Sequence, residues 1–199
     1  MLDFTLEDIS AEELQRLRAL YEPLADSVRE LIDATIRTQV DADAVAAAKA
    51  EIDSATTRLR HHQVDGSFGV RYLKSGERMA WGNVVVGIRN PIAPPLVIEH
   101  DESGRSWCDF HLGAPYEGPP GHVHGGVAAL ILDHLLGEAA SDGVNPRLTG
   151  TISFRYVRAT RLGDLHAGID EHAFSLEPLL EWAQRDERAA LPDPGGPAE

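Results

Sequence analysis

Residues 127–136 form an apolar run that is interrupted by a single carboxylate, Asp133, and this run limits the folds that the chain can adopt. A helix that is apolar on every face is buried in a folded protein, so the run predicts a central helix. Ionising a carboxyl group in such a place is costly unless the group has a partner or a task. The run is also too short to cross a bilayer. Other elements must therefore surround this helix.

A Pro/Gly-rich loop precedes the apolar run. Residues 116–126 read Tyr-Glu-Gly-Pro-Pro-Gly-His-Val-His-Gly-Gly, and the last residues fall where the helix should begin. The first N–H groups of a helix have no intrahelical partner and attract negative charge. A helix start with free donors and a buried acid two turns later is an arrangement suited to catalysis.

The first part of the chain has helical spacing. Apolar residues recur at helical intervals over 6–36, with Ser10 placed as an N-cap and Pro23 as a break. Residues 41–60 are rich in alanine and predict a helix that packs on one side only. We predict a helical N-terminal extension over residues 1–62 that has no chemistry of its own.

The period then changes to that of β-strands. Short β-branched runs at 84–86 and 96–98 are bounded by prolines, and 101–105 reads as a turn before a strand at 107–112. Residues 149–156 alternate between polar and apolar side chains, which predicts a further strand. Together these patterns predict an α+β domain over 63–165, an antiparallel sheet wrapped around one helix.

Charge and cysteine content narrow the possible environments. The net charge is −14, and the acidic excess lies in the two ends of the chain. This argues against nucleic-acid binding, which needs a basic face, but not against a small anion held by local arginines. The lone Cys108 is expected to be a half-buried strand residue that forms no internal disulfide. The acidic N-terminus is unlike a signal peptide, so we expect a cytoplasmic protein without a membrane partner.

Several of these residues resemble a known family. They are the segment 90–96 (Asn-Pro-Ile-Ala-Pro-Pro-Leu), the loop 116–126, Asp133 seven residues after Gly126, and the strand pattern at 149–156. The chain resembles the hot-dog fold acyl-CoA thioesterases of the PaaI type, in the subgroup with the Tyr-Glu-Gly-Pro-Pro-Gly-x-x-His-Gly-Gly signature. The resemblance covers about residues 90–165 and implies a hot-dog fold.

The resemblance also implies roles for individual residues. The substrate would be an acyl-CoA thioester, and the Gly125 N–H would stabilise the oxyanion that forms on its carbonyl. Asp133 would act as general base on water or as a nucleophile, and these two routes stay open. Thr149 falls where relatives hold a water. No cofactor is implied.

Further residues are implied to contact the substrate or complete the site. His124 and Gly126 flank Gly125, and Arg158 and Arg161 are candidates for the CoA phosphates because they follow the strand. In the family the acid and the glycine come from different subunits. The resemblance therefore implies a homodimer or homotetramer.

Each candidate has a structural alternative. Asp133 could be a structural acid with a local hydrogen bond, and His124 could simply shape the turn. The pairs His122/His124 and His61/His62 lack a third ligand at suitable spacing, so no metal site is expected.

The sequence departs from the family after Leu165. No two further strands are evident there, so the sheet is expected to lack its last strands, and 166–199 reads as an acidic tail with a short helix at 175–190. Arginine far outnumbers lysine, as in GC-rich coding DNA, so a frameshifted or truncated family member is one explanation. The other is a genuine tail whose helix covers the gap.

Two other functions compete with thioester hydrolysis. Hot-dog dehydratases and hydratases use a helix histidine as base, and His134 stands beside Asp133. A non-catalytic acyl-CoA-binding or degenerate protein is the third possibility, because the tail is unusual. In that case substitution of Asp133 would leave ligand affinity largely unchanged.

Overall fold

The structure is a computed structural model that describes residues 5–74, 78–102, 105–141, 149–169 and the backbone of 174–178. The chain forms two compact units, residues 1–95 and 96–199, which are described in turn. The boundaries at residues 62 and 165 stay predictions.

The first unit contains two long helices and a small sheet. Strand β1 (Thr5–Glu7) is followed by α1 (Ala11–Arg37), α2 (Ala42–Arg60), β2 (Arg71–Leu73) and β3 (Arg78–Met79). Strand β2 is central, parallel to β1 and antiparallel to β3. No residue of α2 is buried, whereas α1 buries Leu14 and Ala25.

Local signals account for the start of α1 but not for its length. The Ser10 side chain accepts a hydrogen bond from the Glu13 N–H at 3.1 Å, which confirms the predicted N-cap. The expected break at Pro23 is wrong, because α1 runs through this residue. Proline removes one helical N–H donor. The helix tolerates this loss where tertiary contacts, such as burial of Ala25, hold the turn that follows.

One arginine of α1 connects this helix to the segment 87–93. The Arg29 guanidinium donates to the backbone carbonyls of Gly87, Ile88, Asn90 and Ala93 at 3.1–3.4 Å. Carbonyl groups of an irregular segment need such donors when they are partly buried. Arg29 therefore gives that segment a fixed position on α1.

The predicted strand at 84–86 is wrong. The Asn83 side-chain oxygen accepts from the Val85 and Val86 N–H groups at 2.7 and 3.1 Å, and the Gly87 N–H donates to the Asn83 carbonyl at 3.1 Å. These bonds form a turn. Asparagine competes for backbone donors in this way, and here it overrides the β-propensity of three valines.

The second unit contains one antiparallel sheet. Its strand order is β4 (Glu99–His100), β5 (Ser106–Leu112), β6 (Gly163–Ile169) and β7 (Phe174–Pro178). The predicted strand at 107–112 is confirmed as β5, and the strand expected at 96–98 begins only at Glu99. The predicted turn is confirmed by the Asp101 N–H, which donates to the Arg105 carbonyl at 3.1 Å.

The apolar run forms the helix α3 (Gly125–Ala140), which contacts β5, β6 and β7. Its most buried residues, Ala128, Ile131 and Leu135, lie three and four positions apart and so share one face. The expected helix against an antiparallel sheet is confirmed, as is the α+β class. Burial of this helix on every face is not observed, because Leu130 is 37% exposed.

Two expectations about the strands after α3 are wrong. Residues 149–156 form no β-ladder, although Thr151, Ser153 and Arg155 are exposed and Ile152 and Phe154 are half-buried. The side-chain alternation is therefore present without a partner strand among the described residues.

The sheet does continue after Leu165, contrary to expectation. Strand β6 runs to Ile169, and β7 pairs with it in an antiparallel hairpin. The helix expected from residue 175 is a strand at 174–178, and the rest of that prediction lies outside the described residues. Strand β6 was not predicted because it contains two glycines and a histidine, which have low β-propensity. In a central strand such residues are tolerated when neighbours satisfy and cover them.

The partner of His166 explains how β6 accommodates a buried histidine. His166 lies opposite Asp109 of β5, and its Nδ1 is 2.7 Å from an Asp109 carboxylate oxygen. His166 is 1% exposed, so this partner lowers the cost of burying the ring. Cys108, expected to be half-buried, is fully buried in β5.

Candidate active site

The loop before α3 is held by its own backbone. The Gly118 N–H donates to the His122 carbonyl at 2.9 Å, and the His122 N–H donates to the Pro119 carbonyl at 2.8 Å. Gly121 has a φ of +72°, which favours glycine. A Cβ on Gly118 would lie 2.7 Å from the His124 Cα, so only glycine allows the two parts of the loop to approach.

His124 is the N-cap of α3. Its Nδ1 accepts a hydrogen bond from the Gly126 N–H at 3.0 Å, and its own N–H donates to the Tyr116 carbonyl at 2.9 Å. The Val127 and Ala128 N–H groups both donate to the His124 carbonyl. A nitrogen that accepts cannot carry a proton, so this cap requires Nδ1 to be unprotonated.

The Gly125 N–H differs from its neighbours. It has no hydrogen-bond partner within the described part of the chain, whereas the next three N–H groups of α3 donate to His124. The positive end of the helix dipole lies at the same point. The first turn of α3 therefore presents one free, oriented donor.

Tyr156 contacts Gly125, a contact that no sequence pattern predicted. Its hydroxyl donates to the Gly125 carbonyl at 2.9 Å. A Cβ on Gly125 would lie 3.4 Å from the tyrosine ring. Tyr156 is 60% exposed, so its contact with Gly125 lies at the surface.

Asp133 lies two turns further along α3. One of its carboxylate oxygens, Oδ1, is buried and has no hydrogen-bond partner among the described residues. Buried polar atoms are nearly always satisfied, so an exception at this position needs an explanation.

Gly125 and Asp133 do not meet within one chain. Eight residues of α-helix separate them, which corresponds to about 12 Å along the axis. A carbonyl bound at the Gly125 N–H is therefore out of reach of a water held by Asp133 of the same helix.

The other candidates occupy different positions. Arg161 lies beside the loop, because the Val123 N–H donates to the Thr160 carbonyl at 2.9 Å and the Leu162 N–H donates to the Gly121 carbonyl at 3.1 Å. Thr149 and Arg158 are both exposed and outside regular structure.

His134 lies near a carboxylate one turn further along its helix. Its Nε2 is 3.5 Å from a Glu138 carboxylate oxygen, and both side chains are half-buried. In the part of the chain that the structure describes, no group of three or more His, Cys, Asp or Glu residues could hold a metal ion. No helix among the same residues has the length and apolar character needed to cross a membrane.

Comparison with solved structures identifies the family. The chain is similar to the crystal structure of a thioesterase superfamily protein, with 31% sequence identity and a TM-score of 0.68. The similarity covers 80% of this chain and 88% of that chain. This chain belongs to the thioesterase superfamily. No protein-family model matches it, and no curated protein matches it.

Proposed function

We propose that this thioesterase superfamily member hydrolyses an acyl-CoA thioester to a free acid and CoA, as a PaaI-type hot-dog enzyme. One observation carries the proposal. A free N–H donor at the start of α3 and a buried, unpartnered carboxylate oxygen lie on the same helix. These are the two groups that acyl transfer to water needs, a donor for the oxyanion and an acceptor for the proton of water.

The reaction follows from these two groups. The thioester carbonyl oxygen accepts a hydrogen bond from the Gly125 N–H, which makes the carbonyl carbon more electrophilic. Asp133 takes a proton from a water as that water attacks the carbon, and the resulting oxyanion is stabilised at Gly125. The C–S bond then breaks, the acid forms, and the CoA sulfur leaves with the proton. In the alternative route Asp133 attacks the carbonyl itself and water cleaves the anhydride.

The surrounding residues have supporting roles in this proposal. His124 and Gly126 hold the first turn of α3 by their mutual hydrogen bond of 3.0 Å. Arg161 is fixed beside the loop and, with Arg158, would bind the CoA phosphates. Thr149 would position the attacking water.

Release of free thiol from acyl-CoA esters tests the proposal. Asp133→Asn should abolish turnover, whereas Glu138→Gln, an equally conservative change on the same helix, should retain most of it. Thermal unfolding of each variant checks that the fold is intact. A folded wild-type protein without turnover on short, long and aryl acyl-CoA esters would contradict the proposal and favour the non-catalytic binding protein.

The separation of about 12 Å between Gly125 and Asp133 leads to a proposal about assembly. Each site takes its glycine from one copy and its acid from another, in a homodimer or homotetramer. Inactive Gly125→Pro and Asp133→Asn proteins are mixed, unfolded and refolded together. Random pairing should restore about a quarter of the wild-type rate, because half of the dimers are mixed and each has one intact site. A mixture that stays inactive while forming mixed oligomers would contradict shared sites.

A further inference from the structure

A cavity of about 690 Å³ lies in the first unit, and all the residues that line it belong to that unit. One wall is a face of α1 formed by Tyr21, Leu24, Ala25 and Val28, which are spaced for one side of a helix. The other walls come from the end of α2 with the segment after it, and from the segment 89–91. This volume is in the range of sites that bind small organic molecules.

The cavity presents apolar side chains to water. Leu24, Leu59 and Val64 all line it and are 40–54% exposed. Ala25, on the face of α1 that lines the cavity, is buried. Apolar surface gathered in a concave site favours binding of an apolar group, since burial removes that surface from water.

The charged side chains of the lining are two arginines. Arg58, Arg89, His61 and His62 line the cavity, and no aspartate or glutamate does, although the chain carries a net charge of −14. Neither arginine forms an ion pair within the described residues. The Arg89 guanidinium stacks over the Tyr21 ring, 3.7 Å from its centre, which orients its donors without neutralising them.

We propose that this cavity binds a free long-chain carboxylate, with the alkyl chain on the α1 face and the carboxylate at Arg58 and Arg89. A neutral lipid would leave two arginines without a counterion. A polyphosphate would leave the apolar wall exposed to water. An amphipathic monoanion satisfies both parts of the lining, so the site adds a fatty-acid-binding function to this chain that is independent of the proposed hydrolysis.

Isothermal titration calorimetry with dodecanoate, below its micelle concentration, tests the site. Arg58→Gln should weaken binding about tenfold, the order expected for loss of one charge-assisted hydrogen bond. Arg60→Gln is the matched control, because Arg60 lies on the same turn of α2 but does not line the cavity. Dodecanol should bind at least tenfold more weakly than dodecanoate.

Other outcomes would overturn the proposal. These are no saturable dodecanoate binding by the folded protein, equal weakening by the two arginine substitutions, or equal affinity for dodecanol. Asp133→Asn separates this site from the proposed active site. Binding that is kept in Asp133→Asn and weakened in Arg58→Gln supports a separate cavity site, whereas the reverse pattern would place the carboxylate at α3.

Discussion

Replacing Gly125 with proline removes one hydrogen-bond donor and little else. Proline has no N–H and is well suited to the first position of a helix. The preceding residue, His124, has φ −63° and ψ 131°, a conformation that a following proline favours. The other N–H groups of the first turn keep their bonds to His124. The helix should therefore start at the same residue.

The expected cost follows from the role proposed for this donor. Loss of one oxyanion-hole N–H costs about 3 kcal/mol of transition-state stabilisation, so kcat should fall by roughly 10²-fold. Gly125→Ala is the control, because it keeps the N–H and adds a Cβ at 3.4 Å from the Tyr156 ring, an ordinary van der Waals distance. The alanine variant should lose no more than about threefold in kcat.

Steady-state thiol release from acyl-CoA, with CD melting of both variants, measures the effect. The proline effect should appear in kcat more than in KM, since the bond strengthens as the oxyanion forms. Equal activities of folded proline and alanine variants would refute the reasoning, because the donor would then be dispensable. Equal and severe losses in both would assign the effect to the side-chain volume near Tyr156 instead.

Three further predictions concern stability, the buried thiol and Tyr156. Arg29→Ala should lower the free energy of unfolding by about 3 kcal/mol in urea titrations, because several part-buried carbonyls lose their charged donor. The control, Arg37→Ala, removes an exposed arginine and should change the free energy of unfolding by under ~1 kcal/mol. Burial, with the adjacent Asp109 carboxylate, raises the pKa of Cys108 to about 12, so the native thiol should not react with a disulfide reagent at pH 8 and should react fully after unfolding. The unfolded thiol loses its proton near pH 9, the folded one only near pH 12, so its contribution to stability should decline between these values. Tyr156→Phe should lower kcat several-fold with little change in KM, since the bond to the Gly125 carbonyl is lost, and an unchanged kcat would contradict that positioning role.

Features that depend on neighbouring residues could be predicted from the sequence alone. The Ser10 cap, the turn at 101–105 and the start of α3 all depend on hydrogen bonds within a few positions. The loop 116–126 also depends on local contacts, because its glycines and the His124 cap contact residues of the same segment. Such features were predictable for that reason.

Features that depend on partners remote in sequence could be read only from the tertiary structure. A strand exists only where another strand accepts its hydrogen bonds, so the alternating segment 149–156 has no ladder while the glycine-containing β6 lies inside the sheet. The burial of His166 required Asp109, which lies 57 positions away along the chain.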